Sequence, residues 1–249
     1  MANNSETGHA KNVANFEQLT IDCTALGTSY NPSNPAIKLT ALTAQLTSAK
    51  SNIAAVNTAH AAYSNAVAAR EVAFSPLSKL STRILNALKA SGTTVQVDDS
   101  AQTLVRKLQG RRATAKLTAE EKKAAEAAGN PVTEISSSQM SYDNRIDNFD
   151  KFIKLLTSVT LYAPNEADLK VAALTTTYND LKAKNLAVVN SETALTNARI
   201  ARDEIMYADT TGMVDISVDV KNYVKSIFGA TSPQYKQISK LTFTSRKKK

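Results

Sequence analysis

The sequence predicts an all-α protein: an elongated helical bundle built from two tandem, internally duplicated three-helix units with long heptad-patterned helices. Three observations predict it. The 249 residues include only 7 Gly and 6 Pro, too few for an all-β chain full of tight turns. Alanine is the commonest apolar residue, at 38. One stretch of the chain also recurs 132 residues later.

Residues 30–71 laid over 162–203 without a gap share 14 of 42 positions. Five of these are Ala pairs and carry little weight in so alanine-rich a chain. The other nine are Tyr30/Tyr162, Pro32/Pro164, Lys38/Lys170, Leu42/Leu174, Thr43/Thr175, Lys50/Lys182, Val56/Val188, Asn65/Asn197 and Arg70/Arg202. Upstream, Asn15-Phe16 matches Asn148-Phe149 after a one-residue slip, and copy two has extra residues around Asp209–Gly212. The reading divides the chain into an N-terminal segment 1–11, repeat unit 12–92, a linker with short helices 93–139, repeat unit 140–230 and a C-terminal arm with basic tail 231–249.

Each unit reads as a short helix, a Tyr-x-Pro corner, a long helix, a break and a third helix. The first helix is expected over 12–27, with Phe16, Leu19, Cys23 and Leu26 on one face. Its counterpart carries Ile146, Phe149, Ile153 and Leu156. At the corner, proline lacks an amide donor and restricts the residue before it, so the helix stops. Ser33 or Asn34 then caps the next helix, with Pro35 in its first turn.

The long helix is expected over 36–74. Its apolar positions alternate by three and four from Leu39 to Phe74, with His60 and Arg70 among them. Copy two continues with Leu174, Tyr178, Leu181, Val188 and Leu195, while Asn185 and Glu192 fall on the same seam. Those two set the register, or the seam rotates to Leu186 and Val189. Ser75-Pro76 starts the third helix, which ends at Gly92; Asp215 or Ser217 starts its counterpart, which ends at Gly229. In the linker, Ser100 caps a helix over 101–109 and Thr118-Ala-Glu-Glu121 is a capping box. The Ser/Thr-rich remainder up to 139 is expected to be mobile, and 230–249 to dock as an extended arm.

The net charge is +8, four of the positives being Arg246, Lys247, Lys248 and Lys249. Arg106, Lys107, Arg111, Arg112 and Lys116 form a second basic run, suited to phosphate or anionic lipid but with no aromatics for base stacking. Arg70-Glu71 and Arg202-Asp203 recur as charge pairs, expected to clamp a neighbouring helix. Asp143, Asp147 and Asp150 share a helix face, but interleaved Arg145, Lys151 and Lys154 make it a salt-bridged face rather than a metal site. Cys23 reads as a core residue, His60 as structural and His9 as solvated.

No phosphate loop, dinucleotide fingerprint, zinc-protease or nucleophile-elbow motif is present. No cofactor, metal or catalytic residue is expected. The single Cys and the absence of a signal-peptide pattern favour the cytoplasm, and no segment reads as transmembrane. The function expected is a non-enzymatic scaffold or assembly protein with protein partners, self-association among them. The alternatives are a nucleic-acid-associated protein using 104–116 and the Lys-rich tail, and a membrane-acting helical protein.

Overall fold

The structure, a computed structural model, describes residues 8–111, 118–128 and 140–245. The described residues are helical, with no strand. The helices are α1 (His9–Ala25), α2 (Leu39–Phe74), α3 (Leu77–Ala90), α4 (Val95–Gln109) and α5 (Ala119–Ala127), then α6 (Tyr142–Ser158), α7 (Val171–Tyr207), α8 (Met213–Phe228) and α9 (Pro233–Ser239). Single 3-10 turns at Pro35–Ile37 and Ala167–Leu169 precede the two long helices.

Local chemistry accounts for most of the helix boundaries. The Asn34 carboxamide oxygen accepts from the Ala36 amide at 3.0 Å, so the cap expected at this corner closes a 3-10 turn, and α2 starts later, at Leu39. Ser141 and Ser232 cap α6 and α9 through their hydroxyls. Thr118 and Glu121 form the expected capping box around α5. Ser100 does not cap a helix. It lies inside α4 and donates to the Gln96 carbonyl at 2.9 Å, because α4 begins six residues earlier than Ala101. Likewise α8 begins at Met213 rather than at Asp215 or Ser217; the Asp215 carboxylate instead accepts from the Thr210 amide at 2.9 Å. Pro76, not Ser75, precedes α3.

The chain forms two compact units, one of residues 1–64 with 191–249, the other of 65–190. These contact units have different boundaries from the sequence repeats, and each draws on both halves of the chain. In the first unit, α1, the opening part of α2, the closing part of α7, α8 and α9 surround Phe16, Leu19, Cys23, Leu42, Met206, Met213, Val220 and Val224. Burying each such side chain contributes about 1.5–3 kcal/mol. The chain after α9 lies beside α1. Asn12 donates to the Thr244 carbonyl and accepts from its amide, both at 2.9 Å, and Asn15 donates to the Thr242 carbonyl at 2.6 Å. Asn12 is almost fully buried, and these bonds satisfy its amide without water.

In the second unit, α4 packs against both α3 and α6. The core joins Phe74, Leu77, Ile84 and Leu88 to Val105, Leu108, Phe149, Phe152, Leu156, Leu174 and Leu181. Helix α5 contributes no buried residue.

Candidate functional site

The clearest built feature is the pair of tyrosine corners. The Tyr30 hydroxyl donates to the Ile37 carbonyl at 2.7 Å, and the Tyr162 hydroxyl donates to the Leu169 carbonyl at 2.8 Å. In both, a buried tyrosine in the segment after one helix, α1 or α6, anchors the 3-10 turn that launches the next, seven residues on. Burial pushes the Tyr162 phenol up to about 12, and it pushes Tyr30 up as well. The Cys23 thiol, beside Tyr30, is pushed up to about 12, chiefly by its burial.

The surroundings of the two corners differ. In the first unit, Tyr223 of α8 stands edge-on to Tyr30 and its hydroxyl accepts from the Asn31 amide at 3.1 Å. In the second unit the corner bounds an open groove of about 500 Å3 between the 161–169 segment and α3. Its lining mixes apolar Ala87, Leu161 and Leu169 with polar Asn86, Asn165 and Glu166. Arg83 makes a two-point ion pair with Asp168 at its edge, at 2.5 and 3.2 Å. That pairing holds the Asp168 carboxyl below its ordinary range.

The duplicated charge pairs occupy different settings. Arg202 bonds the adjacent Asp203 at 2.6 Å, both largely buried. Arg70 turns away from exposed Glu71: it lies 3.9 Å over the Tyr142 ring and donates to the Asn185 carboxamide oxygen at 3.1 Å. Asn185 in turn donates to Asp143 at 2.8 Å. Arg145 donates to the Phe74 carbonyl at 3.0 Å, and its burial depresses its pKa. The Asn185 position on the expected seam is therefore a polar junction of helices.

Asp147 and Asp150 pair with Lys151 and Lys154 at 2.5 and 2.6 Å, and no group of three metal-binding side chains occurs among the described residues. His60 is exposed. His9 is not simply solvated: its Nδ1 lies 2.8 Å from the Tyr207 hydroxyl. Of the basic run, Arg106 and Lys107 occupy the last turn of α4, where cations complement the helix dipole, and Arg111 follows the left-handed Gly110 cap. Arg112, Lys116, Arg246, Lys247, Lys248 and Lys249 lie outside the described residues.

Sequence reading missed the groove, since nothing at Ala87 or Leu161 signals a site until the two segments meet. The described residues thus define an all-α helical bundle, and no helix among them is long and apolar enough to cross a membrane. No protein-family model, characterised protein or solved structure matches the chain.

Proposed function

We propose that the chain is a non-enzymatic scaffold or assembly protein that presents long helical surfaces to other proteins, copies of itself included. One observation carries this reading. The two longest helices, of 36 and 37 residues, hold large apolar side chains out in solvent: Val72 on α2 is 74% exposed, and Leu186 and Val189 on α7 are 56% and 52% exposed. Leu186 and Val189 are three residues apart and so are neighbours on one helix face. Their exposure also argues against a seam rotated onto them; α7 buries Leu174, Leu181, Val188 and Leu195, seven apart, and then Met206. Apolar side chains grouped in this way suit a protein contact better than solvent.

The reading includes an internal duplication with heptad-patterned long helices. In its support, the 3-10 turns start at 35 and 167, and the long helices at 39 and 171, each 132 apart. The helices α3 and α8 start at 77 and 213, 136 apart, as four extra residues before Met213 require. Ser81 and Ser217, the fifth residue of each, are both fully buried and donate to the carbonyl three residues back.

The test is solution mass by light scattering across a concentration series, with 260 and 280 nm absorbance recorded together. The chain lacks Trp and has 8 Tyr, so bound nucleic acid would dominate the ratio. A defined oligomer free of nucleic acid, lightened by the double substitution Leu186→Asp and Val189→Asp, is expected. A monomer at every concentration that co-purifies with nucleic acid overturns the proposal, as does turnover that depends on a single Asp, Glu or His.

A further inference from the structure

Residue 223 is the eleventh of α8, and residue 87 is the eleventh of α3. The alignment of these two helices does not rest on their first residues alone. Leu77 and Met213, Ser81 and Ser217, Ile84 and Val220, and Leu88 and Val224 are matched buried pairs, each 136 residues apart. Each helix also packs on the 3-10 turn of its own unit, α8 on 35–37 and α3 on 167–169. The two corners therefore offer equivalent seats beside equivalent turns. One seat is occupied by the Tyr223 ring, and in the other Ala87 leaves a groove of about 500 Å3, within the range of small-ligand sites.

Three further differences suit the groove to an incoming ring rather than to water. Leu161 stands where the first corner has Ser29, which adds an apolar wall, and its side chain is 56% exposed. Ala163 replaces Asn31, so the side chain at that position of the lining is only a methyl group. Its amide is turned to the Leu161 carbonyl at 3.0 Å, whereas the Asn31 amide meets the Tyr223 hydroxyl. Polar partners for a ring hydroxyl are then the side-chain amides of Asn86 and Asn165, both in the lining of the groove. A lining that combines apolar and polar side chains matches an aromatic ring with one polar end.

We propose that this groove between α3 and the Tyr162 corner binds a para-hydroxyphenyl ring, the group that Tyr223 supplies internally at the other corner. The inference rests on the correspondence of the two corners and not on the assembly role; a chain that proves monomeric leaves it standing, because the groove lies within one unit.

Amide-resolved NMR of the full chain tests it, with N-acetyl-L-tyrosinamide and p-cresol as probes. Saturable shifts are expected at residues 86–91 and 161–169 with millimolar probe. Ala87→Tyr fills the groove from within and should abolish them. Leu161→Asp, an exposed change that leaves the core intact, should weaken binding by about tenfold and keeps the test decisive if Ala87→Tyr does not fold. Tyr223→Ala should open a second seat and add shifts around Asn31–Ile37. Tighter binding of the tyrosinamide points to a side chain borne by a protein, and tighter binding of p-cresol to a free phenol; both support the site. Absence of saturable shifts in the unmodified chain, or undiminished binding by both folded groove variants, overturns the proposal.

Discussion

The rings of Tyr30 and Tyr223 meet edge to face, with centroids 5.3 Å apart and planes at 86°. Edge-to-face pairs of this kind contribute about 0.5–1.5 kcal/mol beyond the area they bury. The same Tyr30 uses its hydroxyl to hold the Ile37 carbonyl, so one side chain fixes both the turn and the helix that covers it. At the second corner Tyr162 holds the turn by the same bond, and Arg83 ties α3 to it through Asp168. A shared anchor with different covers gives the two units distinct surfaces.

The anchoring bonds should have similar values. Tyr30→Phe and Tyr162→Phe each remove a buried donor and strand a carbonyl, with an expected cost of about 1–3 kcal/mol. Urea unfolding of each variant checks this. A loss at one corner with none at the other would mean that the bonds do not play the same part.

Alkaline pH should destabilise the protein from the ordinary cysteine and tyrosine range upward, well before the folded groups themselves ionise. Cys23 and Tyr162 have folded values raised to about 12, above their unfolded values near 9 and 10. The unfolded chain therefore releases protons first, and stability is full below pH 9 and declines as pH rises from there towards 12. Denaturant midpoints measured from pH 8 to pH 11 should fall steadily. Cys23→Ala should flatten the first part of that slope. In the native state at pH 8 the thiol should resist a thiol reagent until denaturant is added, since the thiolate is the reactive form.

Glycine substitutions should separate space from backbone conformation. Gly92 has φ +79 with open space around its missing Cβ. Gly92→Ala therefore meets only the left-handed penalty, about 1 kcal/mol. Gly212 has ordinary φ, but a Cβ there would lie 2.6 Å from the backbone nitrogen and oxygen of Ala208. Backbone atoms cannot swing aside as a side chain can, so Gly212→Ala should lower Tm more than Gly92→Ala, by shifting the 208–212 turn that carries the chain into α8.

Thr118→Ala should be nearly silent in global stability. The Thr118 hydroxyl accepts from the Glu121 amide and the Glu121 carboxylate accepts from the Thr118 amide, but α5 contributes no buried residue. Loss of the capping box should raise amide exchange across 119–127 and leave the unfolding midpoint unchanged. A cooperative loss of stability would mean that α5 supports the core.

Much of the helical pattern was legible because proline, serine and asparagine act on their immediate neighbours. Pro164 and Asn34 mark helix breaks through forbidden backbone conformations and local capping, and Phe16 and Phe149 declare their burial through spacing alone. Boundaries were missed where a local signal met a stronger tertiary one. Ser100 is a competent cap, yet Val97, Ala101 and Val105 pack against α3 and α6 as one stripe, so the helix extends back past it. His9 looked solvated because nothing near it in the chain reveals Tyr207, almost two hundred residues away.

The groove was not legible, for the same reason. Side-chain periodicity states which face of a helix is buried, since that follows from 3.6 residues per turn and the cost of exposing apolar surface. It is silent on which distant helix does the burying. The amino-acid sequence by itself determined most of the helices, their apolar faces and the two matching corners, but not α9, which stands where the sequence predicts an extended arm. Only the tertiary structure decided that contacts gather into units drawn from both halves of the chain, that Arg70 leaves Glu71 for Tyr142, and that Ala87 rather than a tyrosine stands beside the second corner. Those outcomes depend on long-range packing, in which each side chain goes to the partner that fills space and satisfies its polar atoms, and no local signal in the chain names that partner.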